Sequence, residues 1–239
     1  MKQDESIEIE QELRQIADVL LMSGNLMNNP GLYTGEMGLV LFFARYAQST
    51  QDDLYMDYAF DLMENIQKIR LHRYSPIGYK HGLAGIGSAI EYLVQNGYFE
   101  ANTDAVLDDF DIRIFHKYNL RGMSPDEITD VWYYVNWRLS GNSARKDYIR
   151  QAILPQIETV MLNYTAKPSQ LQLLKKNVLP DIFKEKTYSR YLELVDNKDF
   201  WNKNRGIQDG LAGWGLSLLT ILDGDNSWFL LFPDKINNI

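Results

Sequence analysis

The sequence predicts an all-α protein of helical hairpins packed around a centre. Three observations carry that prediction. Apolar residues recur at helical spacing along most of the chain, a glycine octapeptide occurs three times just before an apolar stretch, and no segment alternates apolar with polar residues between hairpin turns. The 239 residues are 45% hydrophobic, with 15 Tyr, 10 Phe and 5 Trp, enough for a packed core, and 1–239 is read as a single domain.

Taken in order, Ile9, Leu13, Ile16 and Leu20 mark an amphipathic N-terminal helix with an acidic outer face. Gly31-Leu32-Tyr33-Thr34-Gly35-Glu36-Met37-Gly38 then leads into the apolar run Leu39–Phe43. Leu54, Tyr58, Leu62, Ile66 and Ile69 make the stripe of a more polar partner helix. The second glycine copy, Gly78-Tyr79-Lys80-His81-Gly82-Leu83-Ala84-Gly85, opens another apolar helix. Ser124-Pro125-Asp126-Glu127 is a capping box with Pro at the first helical position, so a helix runs from there to about Leu139. Trp132, Tyr133, Tyr134 and Trp137 cover nearly a full turn of it, so that helix is either buried all round or partly a contact surface.

A degenerate fourth glycine copy is read at Trp137–Ala144. Ile149, Ile153, Ile157 and Val160 form a stripe that Pro155 should kink or restart, and Pro180 similarly splits 169–196. The third full copy, Gly206-Ile207-Gln208-Asp209-Gly210-Leu211-Ala212-Gly213, opens the last apolar helix. The tail Trp228–Phe232 either folds back on its own domain or forms an interface.

The glycine motif, G-x-x-[T/H/D]-G-x-x-G, has a physical reading. Thr34 and Asp209 are good N-cap residues, and His81 is a poor one at the same position. The second and third glycines, three apart, share one face of the first turn and admit a close neighbour at about 1 kcal/mol of helix propensity each. Helix N-termini converging on a centre offer unpaired amides and partial positive charge to a carboxylate or phosphate, with Thr34, His81 and Asp209 lining the mouth. The bland alternative is that these residues only cap their own helices. Glu36 and Asp209 could instead work as a carboxylate pair on carbohydrate.

Composition excludes several classes. The net charge of −8, with 24 basic and 32 acidic residues, argues against a nucleic-acid binder. No apolar run reaches the roughly 18–20 residues of a membrane span, and the polar start has no secretory leader, so a cytoplasmic location is expected. With no cysteine and only His72, His81 and His116, no metal site and no cofactor is predicted. Residues 100–111 carry Glu100, Asp104, Asp108, Asp109 and Asp111 with no basic group, while Lys167–Arg205 is net basic. Such stretches read as solvated faces or, alternatively, as docking surfaces.

The repeated glycine motif, with His81-Gly82-Leu83-Ala84-Gly85-Ile86 in the middle copy and Gly210-Leu211-Ala212-Gly213-Trp214-Gly215 in the last, resembles the lanthionine synthetase C-like (LanC-like) proteins. The resemblance implies an α/α toroid. In catalytic members a zinc ion held by two cysteines and one histidine activates a cysteine thiol for addition to a dehydrated Ser or Thr. This chain has no cysteine, and Lys80 precedes His81 where the metal-binding copy has Cys, so no zinc ligand carries over. The length suits four or five hairpins, a ring reduced or incomplete relative to seven, whose open edge a second copy or a partner would cover. The expectation is a zinc-free, non-catalytic LanC-like protein that binds a peptide or partner protein, in a peptide-modification pathway, through Thr34, Glu36, His81 and Asp209. The alternatives are a metal-free α/α-toroid enzyme acting on carbohydrate and a purely structural subunit.

Overall fold

The apolar stripes and the glycine-led segments become helices in a computed structural model that describes residues 3–24, 27–67, 76–117, 120–164 and 204–232. Ile69, the break at Pro180 and the basic stretch before Asn204 lie outside the described residues. Among those described, every regular element is helical, and Asn204–Gly210 is a lone bridge, so the all-α class holds. No described helix is long and apolar enough to cross a membrane. Residues 1–239, read above as one domain, divide by contact into two compact units. Unit 1 is Met1–Ser75 with Asp181–Ile239, and unit 2 is Pro76–Pro180.

In unit 1, α1 (Gln3–Ser23) buries Ile9, Leu13, Ile16 and Leu20. Helix α2 (Glu36–Thr50) is buried on every side from Glu36 to Ala47, as a helix apolar all round must be. It ends at Gln51 in the left-handed region (φ 54°), and Asp52 at once caps α3 (Asp53–Asn65) by accepting the Leu54 N–H, which makes a tight helical hairpin. The hairpin is zipped by aromatic rings: Phe43 meets Tyr58 at 4.8 Å and Tyr46 meets Tyr55 at 4.7 Å between centroids. Burial pushes the Tyr46 hydroxyl up to about 12. Leu54, expected to start the buried stripe, is instead 58% exposed, because Tyr55 takes the inward position against Phe43 and Tyr46.

The last helix, α10 (Leu211–Asp223), ends at Gly224, whose φ of 76° favours a residue without a Cβ. It runs parallel to α2: Gly38 faces Ile207, Phe42 lies over Gly215, and Arg45 reaches Thr220 and Asp223. A Cβ on Gly215 would strike the Phe42 ring, so the glycine lets two parallel helices close on an aromatic side chain. The apolar tail folds back on its own unit. Trp228, Leu231 and Phe232 are buried, Trp228 Nε1 donates to Thr220 Oγ1 at 2.9 Å, and Phe232 packs on Tyr33 at 4.9 Å.

Unit 2 has α4 (Leu83–Gln95), the short α5 (Thr103–Val106) and α6 (Asp108–Asp111), a wide helical turn Ile112–Lys117, α7 (Pro125–Ser140), α8 (Lys146–Tyr148) and α9 (Leu154–Tyr164). Helix α7 begins with the predicted capping box: the Ser124 side chain accepts from the Glu127 N–H, and Glu127 Oε2 accepts from the Ser124 N–H at 2.9 Å. It runs parallel to α4, with Tyr79 against Tyr133, Gly87 under the Tyr134 ring and Glu91 on Arg138. Of its four aromatic residues, Trp132 and Tyr134 are buried. Tyr133 and Trp137, half-buried, lie against Tyr79 and Tyr92. The helix therefore buries one side, while the side of Thr129, Tyr133 and Asn136 is only half-buried.

Pro155 does not break its helix. The turn Ile149–Ile153 widens so that the Leu154 N–H donates to the carbonyl of Ile149, five residues back, which gives the proline ring room and keeps Ile149, Ile153, Ile157 and Val160 on the buried side. Ser124→Ala is expected to remove the side-chain half of the α7 cap, leaving the Ser124 N–H on Glu127, and to lower stability by about 1 kcal/mol, measured by urea unfolding.

Candidate functional site

Each glycine loop folds back over the helix it starts, in one hydrogen-bond register used three times. The first helical N–H of Glu36, Leu83 and Leu211 donates to the carbonyl seven residues earlier, Asn29 at 2.8 Å, Pro76 at 2.9 Å and Asn204 at 2.9 Å. The next N–H, of Met37, Ala84 and Ala212, donates to Pro30 at 3.4 Å, Ile77 at 2.8 Å and Arg205 at 3.2 Å. Amides that every helix start leaves orphaned are thus satisfied by main chain rather than by a capping side chain.

The cap position is held by Gly35, Gly82 and Gly210, all extended and without a side-chain cap bond. This corrects the assignment of Thr34, His81 and Asp209 as caps by one residue. The physical reason is space. A Cβ at Gly35, Gly82 or Gly210 would run into the carbonyl of Asn29, Pro76 or Gly206. The loop's own backbone occupies the place where a capping side chain would sit. The anion site expected at these helix starts meets the same obstacle, because the first two amides of all three helices are already bonded to loop carbonyls.

In unit 1 the first and third loops dock on each other. The Tyr33 carbonyl accepts the N–H of Ile207 at 2.8 Å and of Gln208 at 2.9 Å, and a Cβ on Gly206 would lie 2.6 Å from the Thr34 Cα. Thr34, Glu36 and Asp209 therefore share one end of the parallel pair α2/α10. Thr34 is half-buried and accepts from Asn29 Nδ2 at 3.1 Å. Glu36 opens α2 and is 3% exposed, while Asp209 is exposed, with φ 53°. His81 belongs to unit 2 and is exposed there.

Two loop residues escaped the sequence reading. Asn29 and Asn204, each two residues before the first glycine, accept the N–H of Gly31 at 2.8 Å and of Gly206 at 3.0 Å, holding the loop start in an Asx turn. The N-x-G triplet was the available signal. Pro76, at the same place in the middle copy, offers only its carbonyl.

The strongest electrostatic feature lies elsewhere. Arg138, 0% exposed on α7, donates to Glu91 Oε1 at 2.5 Å, Asp104 Oδ1 at 2.7 Å and Asp111 Oδ2 at 2.8 Å. Asp111 also accepts from the Tyr134 hydroxyl at 2.6 Å and from Arg145 at 3.1 Å, and Arg145 pairs with Asp108. Ser143 Oγ and the Ala144 N–H close on Asp104 at 2.6 and 2.7 Å. Desolvation alone would make the Arg138 guanidinium easier to deprotonate. The hydrogen bonds and charge of Asp111, with Tyr134 and Glu91, outweigh it and hold its pKa above the ordinary value. Burial and the Asp111 charge push the Tyr134 hydroxyl well up.

Two sequence readings are corrected here. Trp137–Ala144 is not a glycine loop but the end of α7, with Gly141 as its C-cap, and no helix starts until Lys146. Within 100–111, Asp104 and Asp111 face inward onto Arg138 instead of forming a solvated face, because α7 delivers a guanidinium that no local pattern announces. Among the described residues, no three His, Asp or Glu side chains are grouped so as to hold a metal ion. Set against protein-family models, curated proteins and solved structures, the chain finds no match in any of the three comparisons.

Two substitutions separate the parts played by these groups. Gly82→Ala, whose methyl meets backbone carbonyls, should cost about 2 kcal/mol or more in calorimetric unfolding, whereas Gly78→Ala, facing only Asp130 Oδ2 at 3.6 Å, should stay within about 0.5 kcal/mol of wild type. Arg138→Ala should cost about 3–5 kcal/mol by leaving Glu91 buried without its cation and Asp111 with Arg145 alone, and the same calorimetry reads it.

Proposed function

We propose that the chain is a zinc-free LanC-like protein that binds a peptide or a partner protein in a cytoplasmic peptide-modification pathway, without catalysis or a cofactor of its own. The supporting observation is the single hydrogen-bond register shared by the three glycine loops, Gly31–Gly38, Gly78–Gly85 and Gly206–Gly213. A device repeated at that fidelity fits an α/α toroid-like array, in which glycine-started helices form the inner layer and amphipathic helices the outer one. The parallel pairs α2/α10 and α4/α7 and the tight α2/α3 hairpin suit such an array, reduced or incomplete relative to seven hairpins. A second copy of the chain or a partner would cover the edge of an unclosed ring.

Missing cysteines remove the thiolates that zinc would need, which is why binding is favoured over cyclisation. The polar contacts fall to Thr34 and Asp209 in unit 1 and to His81 in unit 2, since the helix-start amides are engaged. Glu36, 3% exposed, is too enclosed to flank a glycosidic bond opposite Asp209, so binding is also favoured over carbohydrate chemistry.

The test is fluorescence anisotropy with a labelled Ser/Thr-rich peptide, with and without dehydroalanine, beside zinc analysis of protein purified without chelator. Expected are a saturable rise for at least one peptide, a several-fold weakening by Thr34→Ala/Asp209→Asn in a variant that still unfolds cooperatively, and zinc far below one per chain. Stoichiometric zinc, or no rise with either peptide, would overturn the reading.

A further inference from the structure

Of the three arginines buried among the described residues, Arg45, Arg113 and Arg138, the first and the last differ in what acid can take from them. Among the described residues, Arg138 makes five hydrogen bonds. Four go to carboxylates, two of them to Asp111 and one each to Glu91 and Asp104, and the fifth, to Thr103 Oγ1, is 3.4 Å long. Arg45 in unit 1 donates to the Asp223 carboxylate at 2.8 Å, but also to the Asp225 main-chain carbonyl at 3.1 Å and to Thr220 Oγ1 at 3.5 Å, neither of which titrates. Its acid partners are 43% and 41% exposed, against 0% and 3% for Glu91 and Asp111.

We propose that the Arg138 cluster is an acid-released latch, which on protonation frees α5, α6 and the 141–145 turn from α4 and α7 while unit 1 keeps its fold. Every charged group facing the latch in the described structure belongs to it or pairs beside it. Helix α4 supplies Glu91, α5 supplies Asp104, α6 supplies Asp108 and Asp111, the turn supplies Arg145, and Asp109 pairs with Arg113 alongside. Four carboxylates thus surround two guanidiniums. As each carboxylate takes a proton from water, the cluster goes from acid excess to two cations with no counter-charge. Neither guanidinium can give its own proton up at such a pH, so the charge is relieved only by reaching water.

Asp104, 21% exposed, is the most open of the three carboxylates that touch Arg138. Desolvation raises its pKa, but the bonds from Ser143, Ala144 and Arg138 prevail and hold it below the usual carboxylate value. A depressed folded-state value means that its contribution is complete above its unfolded value and is lost as pH falls through the folded one, below about pH 4. Arg45 keeps its carbonyl and hydroxyl acceptors through the same descent.

Hydrogen exchange of the full chain, resolved by peptide and corrected for intrinsic rates, tests this in steps from neutral pH to about pH 3. Peptides covering α5, α6 and the 141–145 turn are expected to lose protection about half a pH unit or more above those of α2 and α10. Simultaneous loss, or earlier loss in unit 1, overturns the latch. In Asp104→Asn, the neutral amide stands in for the protonated acid at every pH, so protection of α5, α6 and the 141–145 turn should already be lowered at neutral pH and should change less as the pH falls. Protection of those segments equal to that of wild type at neutral pH also overturns it. If that variant fails to fold, the order of loss in the wild-type chain decides alone.

Discussion

A helix start leaves amide hydrogens with nowhere to go, and this protein answers that demand with its own main chain. Three times the loop before a buried helix turns back so that its carbonyls meet the first two helical amides. The arrangement works only if the residue at the junction has no side chain, which is why Gly35, Gly82 and Gly210 stand there. A side-chain cap would have put a polar group and its hydration at the entrance to the core. A backbone cap is dry and compact, and it allows helices as apolar as α2 and α10 to begin inside the protein.

The remaining packing follows from that economy. Bare backbone near the helix starts lets α2 and α10 lie parallel and close, with the Phe42 ring over Gly215, and lets Gly87 receive the Tyr134 ring in unit 2. Parallel neighbours bring like helix ends together, an arrangement the macrodipoles disfavour. Arg45 answers this in unit 1 by meeting the acidic C-terminal end of α10 at Asp223 and Asp225. In unit 2, Arg138 draws acids from three other helices to one point. Both arginines lie near the C-terminal ends of parallel helices, so each unit joins apolar packing at one end to a charged clasp at the other.

Much of this was legible in the sequence, and the gaps have physical causes. Helical periodicity located α1, α3 and the stripe through Ile149, Ile153, Ile157 and Val160, since burial of one face repeats at a fixed spacing. The capping box placed the start of α7 to the residue. Leu54 misled because the pattern cannot tell which of two adjacent apolar residues, Leu54 or Tyr55, faces the neighbour. The caps were misplaced by one residue because Thr34 and Asp209 look like capping side chains, while the true cap is a carbonyl, which every residue carries. Arg138 was invisible as a site: its partners are 27, 34 and 47 positions away, and such distances leave no periodic trace. Asn29 and Asn204 could have been found by asking what precedes each first glycine.

Unit 1 is assembled from both ends of the chain, with the continuous unit 2 between its halves. During synthesis, at roughly 5–20 residues per second, α2 emerges before unit 2, and the helix that lies parallel to it emerges only after unit 2. Unit 2 has all its contacts available before α10 leaves the ribosome. The newborn protein therefore passes through a stage in which unit 2 has its contacts while α2, held in its hairpin with α3, still shows the greasy side that α10 covers. A chain stopped ahead of Asn204 would keep that surface bare, since the segment lying parallel to α2 would never be made.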